Sequence, residues 1–459
     1  MDWIKDNKGA GAWAFIKQPN KWGYLNNPRW MTTQSEPVNY DGRESEEPQS
    51  WDDSNVPFSK VGADEHIPCG YWHTPQGSGG GGGNGGETEY DYLYIALIDY
   101  SLTPYQWRIV KLNKSDGAIV WDQSQQLLYL GNPTYAFPST PIVDSTGVYS
   151  CGYCLDYDET NYGEWRVEKR DLITGALLWE KYSTFSSTYN QAVSITSDDT
   201  YLYIGGIYTN DISLLNRVKL EKRNKTTGDI VSSTDSDILS AQFYFINISQ
   251  DKTLLLTSEL VSGLNPPGSI ECMIRTKQNN WTTIDEYETY ADVTQLWSIF
   301  QEDTGIYYCG KSAVVQGSPI TSWRIEKRAL DLTTIWTIDD INTTYSTLGY
   351  GAKNIKFYDD KLYVFGETGH TGTINIASVG IYNPTDGSTI LAPTKIASTA
   401  RTQQAKGMVV DSTGIYVIFR NTSGATKVQK LGLTDLSLGW ETSFVSQDCG
   451  AWHSISFGA

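Results

Sequence analysis

Trp107-Arg-Ile-Val-Lys-Leu-Asn-Lys-Ser-Asp-Gly-Ala-Ile-Val-Trp121 and Trp165-Arg-Val-Glu-Lys-Arg-Asp-Leu-Ile-Thr-Gly-Ala-Leu-Leu-Trp179 are two copies of one scheme. A strand leads into a tight turn at Asp-Gly or Thr-Gly, and a second strand ends on a tryptophan fourteen positions after the first. Segments rich in β-branched residues and broken by Asp, Thr and Gly are what a strand-turn-strand unit requires. Weaker copies follow at Val218 to Gly228, Trp323 to Trp336, Ser378 to Gly387 and Lys427 to Trp440, with a degenerate one between Cys272 and Trp281. Trp107 and Thr426 lie 319 residues apart across six intervals, a mean period of about 53, close to the length of a four-stranded propeller blade.

Working outward, a second recurrent strand precedes each copy, as in Tyr92 to Ile95, Gly147 to Gly152, Tyr201 to Gly206, Gly305 to Gly310, Lys361 to Gly366 and Gly414 to Val417. Before it comes an Asp-containing turn and another short strand, for example Ala192 to Thr196, Ile355 to Phe357 and Met408 to Val410. The first copy lacks that strand, because a glycine run precedes Tyr90, while Trp452 to Gly458 is an orphan version of it. A C-terminal strand entering the first blade closes the ring and leaves no sheet edge open. The expected fold is therefore all-β: residues 87–459 form a seven-bladed β-propeller closed by the C-terminal strand, preceded by an extended N-terminal arm.

Composition fits a β-rich chain with a sizeable core: 39% hydrophobic residues, 42 glycines and 30 tyrosines. No run of about 20 apolar residues exists, so membrane insertion is not expected. The first residues, Met1-Asp-Trp-Ile-Lys-Asp-Asn-Lys8, lack the apolar core of a secretory signal peptide. A net charge of −18 argues against nucleic acid as a partner, since phosphate binding needs clustered positive charge. Charges spaced as in Arg166-Val-Glu-Lys-Arg170 read as an exposed, charge-paired blade face.

Residues 1–76 show no repeat, and 77–86 are a glycine-rich flexible linker. Trp3, Trp13, Trp22, Trp30, Trp51 and Trp72 lie ahead of that linker, against ten tryptophans in the remainder. Disordered tails are poor in aromatics, so the segment reads as an anchoring arm that lays tryptophans into pockets on a partner.

Reactive motifs are sparse. None of the four histidines sits in a Ser/His/Asp or His-Glu-x-x-His arrangement. His66, Cys69 and His73 fall within eight residues and form a weak zinc candidate that lacks a fourth ligand. Cys151-Gly-Tyr-Cys154 has redox spacing but lies on the recurrent strand, where a structural role is expected. Connections at Leu155 to Gly163, Ile207 to Leu214, Leu260 to Gly268 and Val315 to Thr321 are the longest insertions, and their Tyr157, Tyr162 and Tyr208 are candidate sugar-stacking residues.

Thr174-Gly-Ala-Leu-Leu-Trp179 and Asp116-Gly-Ala-Ile-Val-Trp121 resemble the repeat of quinoprotein-like (PQQ-type) propellers. The resemblance implies that turn and tryptophan dock neighbouring blades. That family's enzymes usually have eight blades and an adjacent-cysteine disulfide over the quinone; this chain has no adjacent cysteines, and no cofactor is expected. The layout of arm, hinge and β-rich head is similar to that of bacteriophage structural proteins. The leading expectation is a non-enzymatic virion component (a head or tail fibre, decoration or receptor-binding protein). Its arm would join other virion proteins, and its propeller would meet a host-surface glycan or protein. The alternatives are a propeller enzyme acting on polysaccharide as a lyase or glycosidase, a quinoprotein-like enzyme, and a cellular protein-interaction scaffold.

Overall fold

A computed structural model describes residues 91–457 except 100–105, 126, 130–131, 157–162, 187–188, 210–215, 249–253, 265–266, 279–280, 282, 290–292, 303, 314–320, 341–350, 370–374, 397–402, 422–424, 445–446 and 449–454. The arm tryptophans, the linker, the His66/Cys69/His73 candidate, Tyr157 and Tyr162 lie outside the described residues.

The described residues contain strands and no α-helix, and every strand pairing is antiparallel. They make an all-β propeller. Copies five, six and seven are four-stranded up-and-down sheets at 293–340, 352–395 and 403–444. The second copy, 127–183, carries a short fifth strand, Leu127–Tyr129.

In place of the seven separate sheets expected from the repeat, the described residues form six. The difference has one cause. Ile230–Ile248 is a single strand of 19 residues. Its first half pairs with Asn216–Asn224 as the outer strand of the third copy, and its second half pairs with Leu254–Leu264 as the inner strand of the fourth. Two copies thus share one seven-stranded sheet, 190–289.

Closure follows the expected route. Ile455–Phe457 pairs with the first strand, Leu93 facing Phe457 and Ile95 facing Ile455, and Gln447–Asp448 extends the pairing at Ile98 and Asp99. Innermost strands then neighbour one another in the order Ile455–Phe457, Asn132–Asp144, Asn190–Ser197, the second half of Ile230–Ile248, Val293–Glu302, Ala352–Tyr358, Gln403–Asp411 and back to Ile455–Phe457.

Polar side chains tie these inner strands together where sheet hydrogen bonds end. Ser139 Oγ donates to Val193 O, Ser194 Oγ accepts from Ile246 N at 3.3 Å, and Asn247 Nδ2 donates to Ile299 O at 3.1 Å. Ser298 Oγ then accepts from Ile355 N at 3.4 Å, and Asn354 Oδ1 from Met408 N at 2.9 Å. Each bond crosses from one copy to the next, so buried backbone groups that would otherwise be orphaned are satisfied.

The seams between copies are built by the turn before the fourth strand. One residue of that turn has a positive φ, between 54° and 78°, in every copy: Gly117, Gly175, Gly228, Trp281, Leu332, Gly387 and Leu436. Where it is glycine, the tryptophan of the preceding copy lies on it. A Cβ at Gly117 would come within 2.5 Å of Trp440, at Gly175 within 2.7 Å of Trp121, at Gly228 within 2.8 Å of Trp179, and at Gly387 within 3.0 Å of Trp336. The indole N–H groups of Trp121, Trp336 and Trp440 donate to turn carbonyls at Leu172, Pro384 and Lys114. This is the docking that the quinoprotein-like resemblance implied, and the Trp440 contact on the first copy completes the ring.

At the seam between the third and fourth copies the arrangement is reversed. Ser232 occupies the tryptophan position and Trp281 the turn position. The Trp281 indole donates to Ser232 Oγ at 3.2 Å and meets Tyr203 edge-on at 5.9 Å. Trp121, Trp179, Trp336 and Trp440 meet the corresponding Tyr94, Tyr149, Tyr307 and Tyr416 at 6.0 to 6.3 Å. The indole therefore fills the same space from whichever side supplies it, as close packing demands.

The charged strand pattern corrects one expectation. Arg166, Glu168 and Arg170 are charge-paired but buried, not exposed. Glu221–Arg223 at 2.7 Å and Glu326–Arg328 at 2.9 Å repeat the pair. The cause is the seam: Arg166 and Arg170 reach Gln125 of the preceding copy, and Glu221 and Arg223 reach Ser183. Cys151 and Cys154 are also buried, as unbridged thiols.

Candidate functional site

Inner strands carry β-bulges, which insert an extra residue and re-aim its side chain. In three successive copies the inserted residues are Trp297, Lys353 and Lys406. Trp297 and Lys353 directly precede the belt residues Ser298 and Asn354, and Lys406 precedes Gly407 at the equivalent place in the strand. The corresponding bulge in the third copy places Val193, so the residue there changes from apolar to cationic in copies six and seven.

Second strands bring two more groups to the same end. Lys311 pairs with Gln295 near the end of Gly305–Ala313, and Glu367 lies near the end of Lys361–Gly369. Lys353 Nζ lies 3.8 Å from the Trp297 ring centroid and Lys311 Nζ lies 5.6 Å from it, within cation–π range. The Glu367 carboxylate accepts from Ala405 N at 3.0 Å, which ties it to the neighbouring copy. Gly351 forms the backing: a Cβ there would sit 2.5 Å from Lys311 and 2.7 Å from Trp297.

Three ammonium groups thus gather around one carboxylate. Lys353 and Glu367 are buried, while Lys311 and Lys406 are half-buried. Burial pushes Lys353 below the ordinary lysine value of 10.5; Glu367 opposes that shift, and the charges of Lys406 and Lys311 add to it. Lys311 is lowered by burial, again against the pull of Glu367. Such a site can hold an anion and can also present an amine that gives up its proton more readily than a solvated lysine.

Of the residues proposed from sequence, Tyr208 is described. It is buried at the end of Tyr201–Thr209, with its ring 5.9 Å from Phe185. The lysine cluster escaped sequence reasoning because its members are spread over almost a hundred residues. The available signal was a cationic residue beside the belt position in consecutive copies.

Fold and site together define an all-β propeller with a cluster of lysines at one end of the inner strands of adjacent copies. No family model and no curated protein matches the chain. Solved structures do. A protein from Lactobacillus plantarum aligns with TM-score 0.52 and 11% identity over 80% of this chain and 99% of its own. The periplasmic gluconolactonase of Pseudomonas aeruginosa aligns with TM-score 0.50 and 10% identity over 79% and 98%. A europium-containing methanol dehydrogenase aligns with TM-score 0.45 and 9% identity over 77% of each chain. At these identities the likeness is one of propeller fold alone.

Proposed function

We propose that the propeller is an enzyme acting on polysaccharide, with Lys311, Lys353, Lys406 and Glu367 as the reactive and binding groups of its mouth. The observation that carries this reading is that successive bulges bring Trp297, Lys353 and Lys406 together. The buried lysines of the seams donate to backbone carbonyls, as Lys111 does to Leu172 O and Lys327 to Pro384 O, whereas burying mutually repelling ammonium groups beside one another costs stability, and such costs concentrate at functional sites. Although the similar structures include enzymes, the reading rests on the lysine cluster rather than on them.

The test is chain shortening on a panel of neutral and acidic polysaccharides. Wild-type protein shortens at least one polymer, and Lys353→Met, melting within a few degrees of wild type, shortens none. Failure on every polymer overturns the reading.

A second reading is favoured by the tryptophan density of residues 1–76: a virion protein anchored through that segment, whose propeller meets host-surface glycan. Deleting residues 1–76 then leaves a propeller that still folds and abolishes association with particles. Retained association would exclude the anchoring role.

A further inference from the structure

We infer that the substrate is a uronate-containing polysaccharide, cleaved by β-elimination with Lys353 as the base and Lys311 and Lys406 holding the substrate carboxylate; this rests on the polysaccharide reading above. Three observations carry it.

The first is local charge. A chain with net charge −18 gathers three ammonium groups and one carboxylate at this point. Polyanions are repelled by the remaining surface and drawn to this mouth.

The second is the donor set. Glycoside hydrolysis uses two carboxyl groups flanking the scissile bond. The described cluster holds Glu367 alone, and that carboxylate already accepts from Ala405 N. Amines suit a different chemistry, proton removal from the carbon beside a carboxylate. That step needs a base and fixed cations where negative charge develops.

The third is how the amines differ. Lys353 is the buried one, with its Nζ against the Trp297 face and with Glu367, Lys311, Lys406 and Cys309 as its titratable neighbours. Burial and the two like charges keep more of it neutral than a surface lysine, which suits a base. Lys311 and Lys406 are half-buried, which suits contact with a ligand.

The step balances without a redox partner. Lys353 Nζ takes the proton from the carbon next to the carboxylate. The freed electron pair forms a double bond to the adjacent carbon as that carbon's bond to the glycosidic oxygen breaks. The departing oxygen takes a proton from solvent, leaving an ordinary chain end and an unsaturated uronate.

The experiment compares polygalacturonate, its methyl ester and a neutral glucan, reading both chain length and the ultraviolet absorbance of the unsaturated product. Wild type is expected to yield absorbing product from the acidic polymer. Lys353→Met and Lys353→Arg, the latter keeping the charge in case the former fails to fold, lose about 100-fold or more. Lys406→Met raises KM on the acidic polymer more than it lowers kcat. Lys311→Met removes a like charge beside the base and moves the rising limb of the rate profile to higher pH, an effect that a merely structural lysine would not produce. Shortening of neutral glucan without unsaturated product overturns this inference and leaves the enzyme reading standing; no shortening of any polymer overturns both.

Discussion

Glu221 and Arg223 show what the repeat does with charge. Both are buried, they pair at 2.7 Å, and Arg223 also closes its turn by donating to Gly228 O at 2.6 Å. Breaking such a pair leaves an uncompensated buried charge, whereas replacing both members with apolar groups removes the desolvation cost as well. Glu221→Leu is therefore expected to lose about 3–5 kcal/mol. The double change Glu221→Leu/Arg223→Met recovers most of that loss in chemical denaturation; equal losses for single and double variants would contradict the coupling. The sequence displayed the pairing but not the burial, because alternation says which residues share a face and not what covers that face. Titration gives a second residue-scale prediction. Burial lifts the Tyr149 hydroxyl from 10.0 to about 12, so the unfolded chain ionises this group first. Its contribution is complete below pH 10 and is lost as pH rises towards about 12. Lys353 and Lys311 act oppositely: the unfolded chain binds more protons below 10.5, so stability rises with pH as that value is approached. Melting temperature against pH should climb in the alkaline range and then fall once tyrosines titrate, and Tyr149→Phe should soften the fall.

Among the elements, the seams make the sharpest demand on sequence. Four seams put a tryptophan on a glycine, one puts leucine against leucine at Leu391 and Leu436, and one exchanges the partners at Ser232 and Trp281. Trp281→Gly should empty the seam and lose about 3–5 kcal/mol, as large aromatic truncations do. Ser232→Trp alone should overpack it. The pair Ser232→Trp/Trp281→Gly reproduces the geometry of the other seams and is expected to restore most of the wild-type denaturation midpoint. A double variant no better than its worse single would refute the exchange. The docking tryptophans were legible from their fourteen-residue spacing, yet this exchange was not. Trp281 read as the end of a degenerate fourth copy, because only a structure shows that its ring reaches back to Tyr203. The shared strand Ile230–Ile248 was hidden similarly, since no Gly or Pro marks where one copy passes into the next.

For the whole molecule, ring closure combines the pairing of Ile455–Phe457 with the first strand, the docking of Trp440 on Gly117, the Lys114–Asp411 ion pair and an apolar core shared by the first and seventh copies. Deleting 447–459 exposes the inner edge of Tyr92–Asp99 and should lower the melting temperature and speed amide exchange at Leu93 to Ile98. Unchanged exchange there would show that the seam between the first and seventh copies closes the ring without the C-terminal strand. The period, the all-β class and this closure were readable because they are repeated or complementary patterns along the chain. The candidate site was not, because Lys311, Lys353, Glu367 and Lys406 meet only after three copies are laid side by side, and because the bulges that re-aim Lys353 and Lys406 show in hydrogen-bond register alone. Residue-resolved amine labelling tests whether these side chains meet. Lysine reactivity is measured by mass spectrometry with and without an oligogalacturonide. Lys353 is expected to label at a lower pH than Lys181 and Lys361, half-buried lysines outside the cluster, and Lys311, Lys353 and Lys406 are expected to be protected together by the ligand. Labelling of Lys353 at the same pH as Lys181, with protection elsewhere or nowhere, would contradict this expectation.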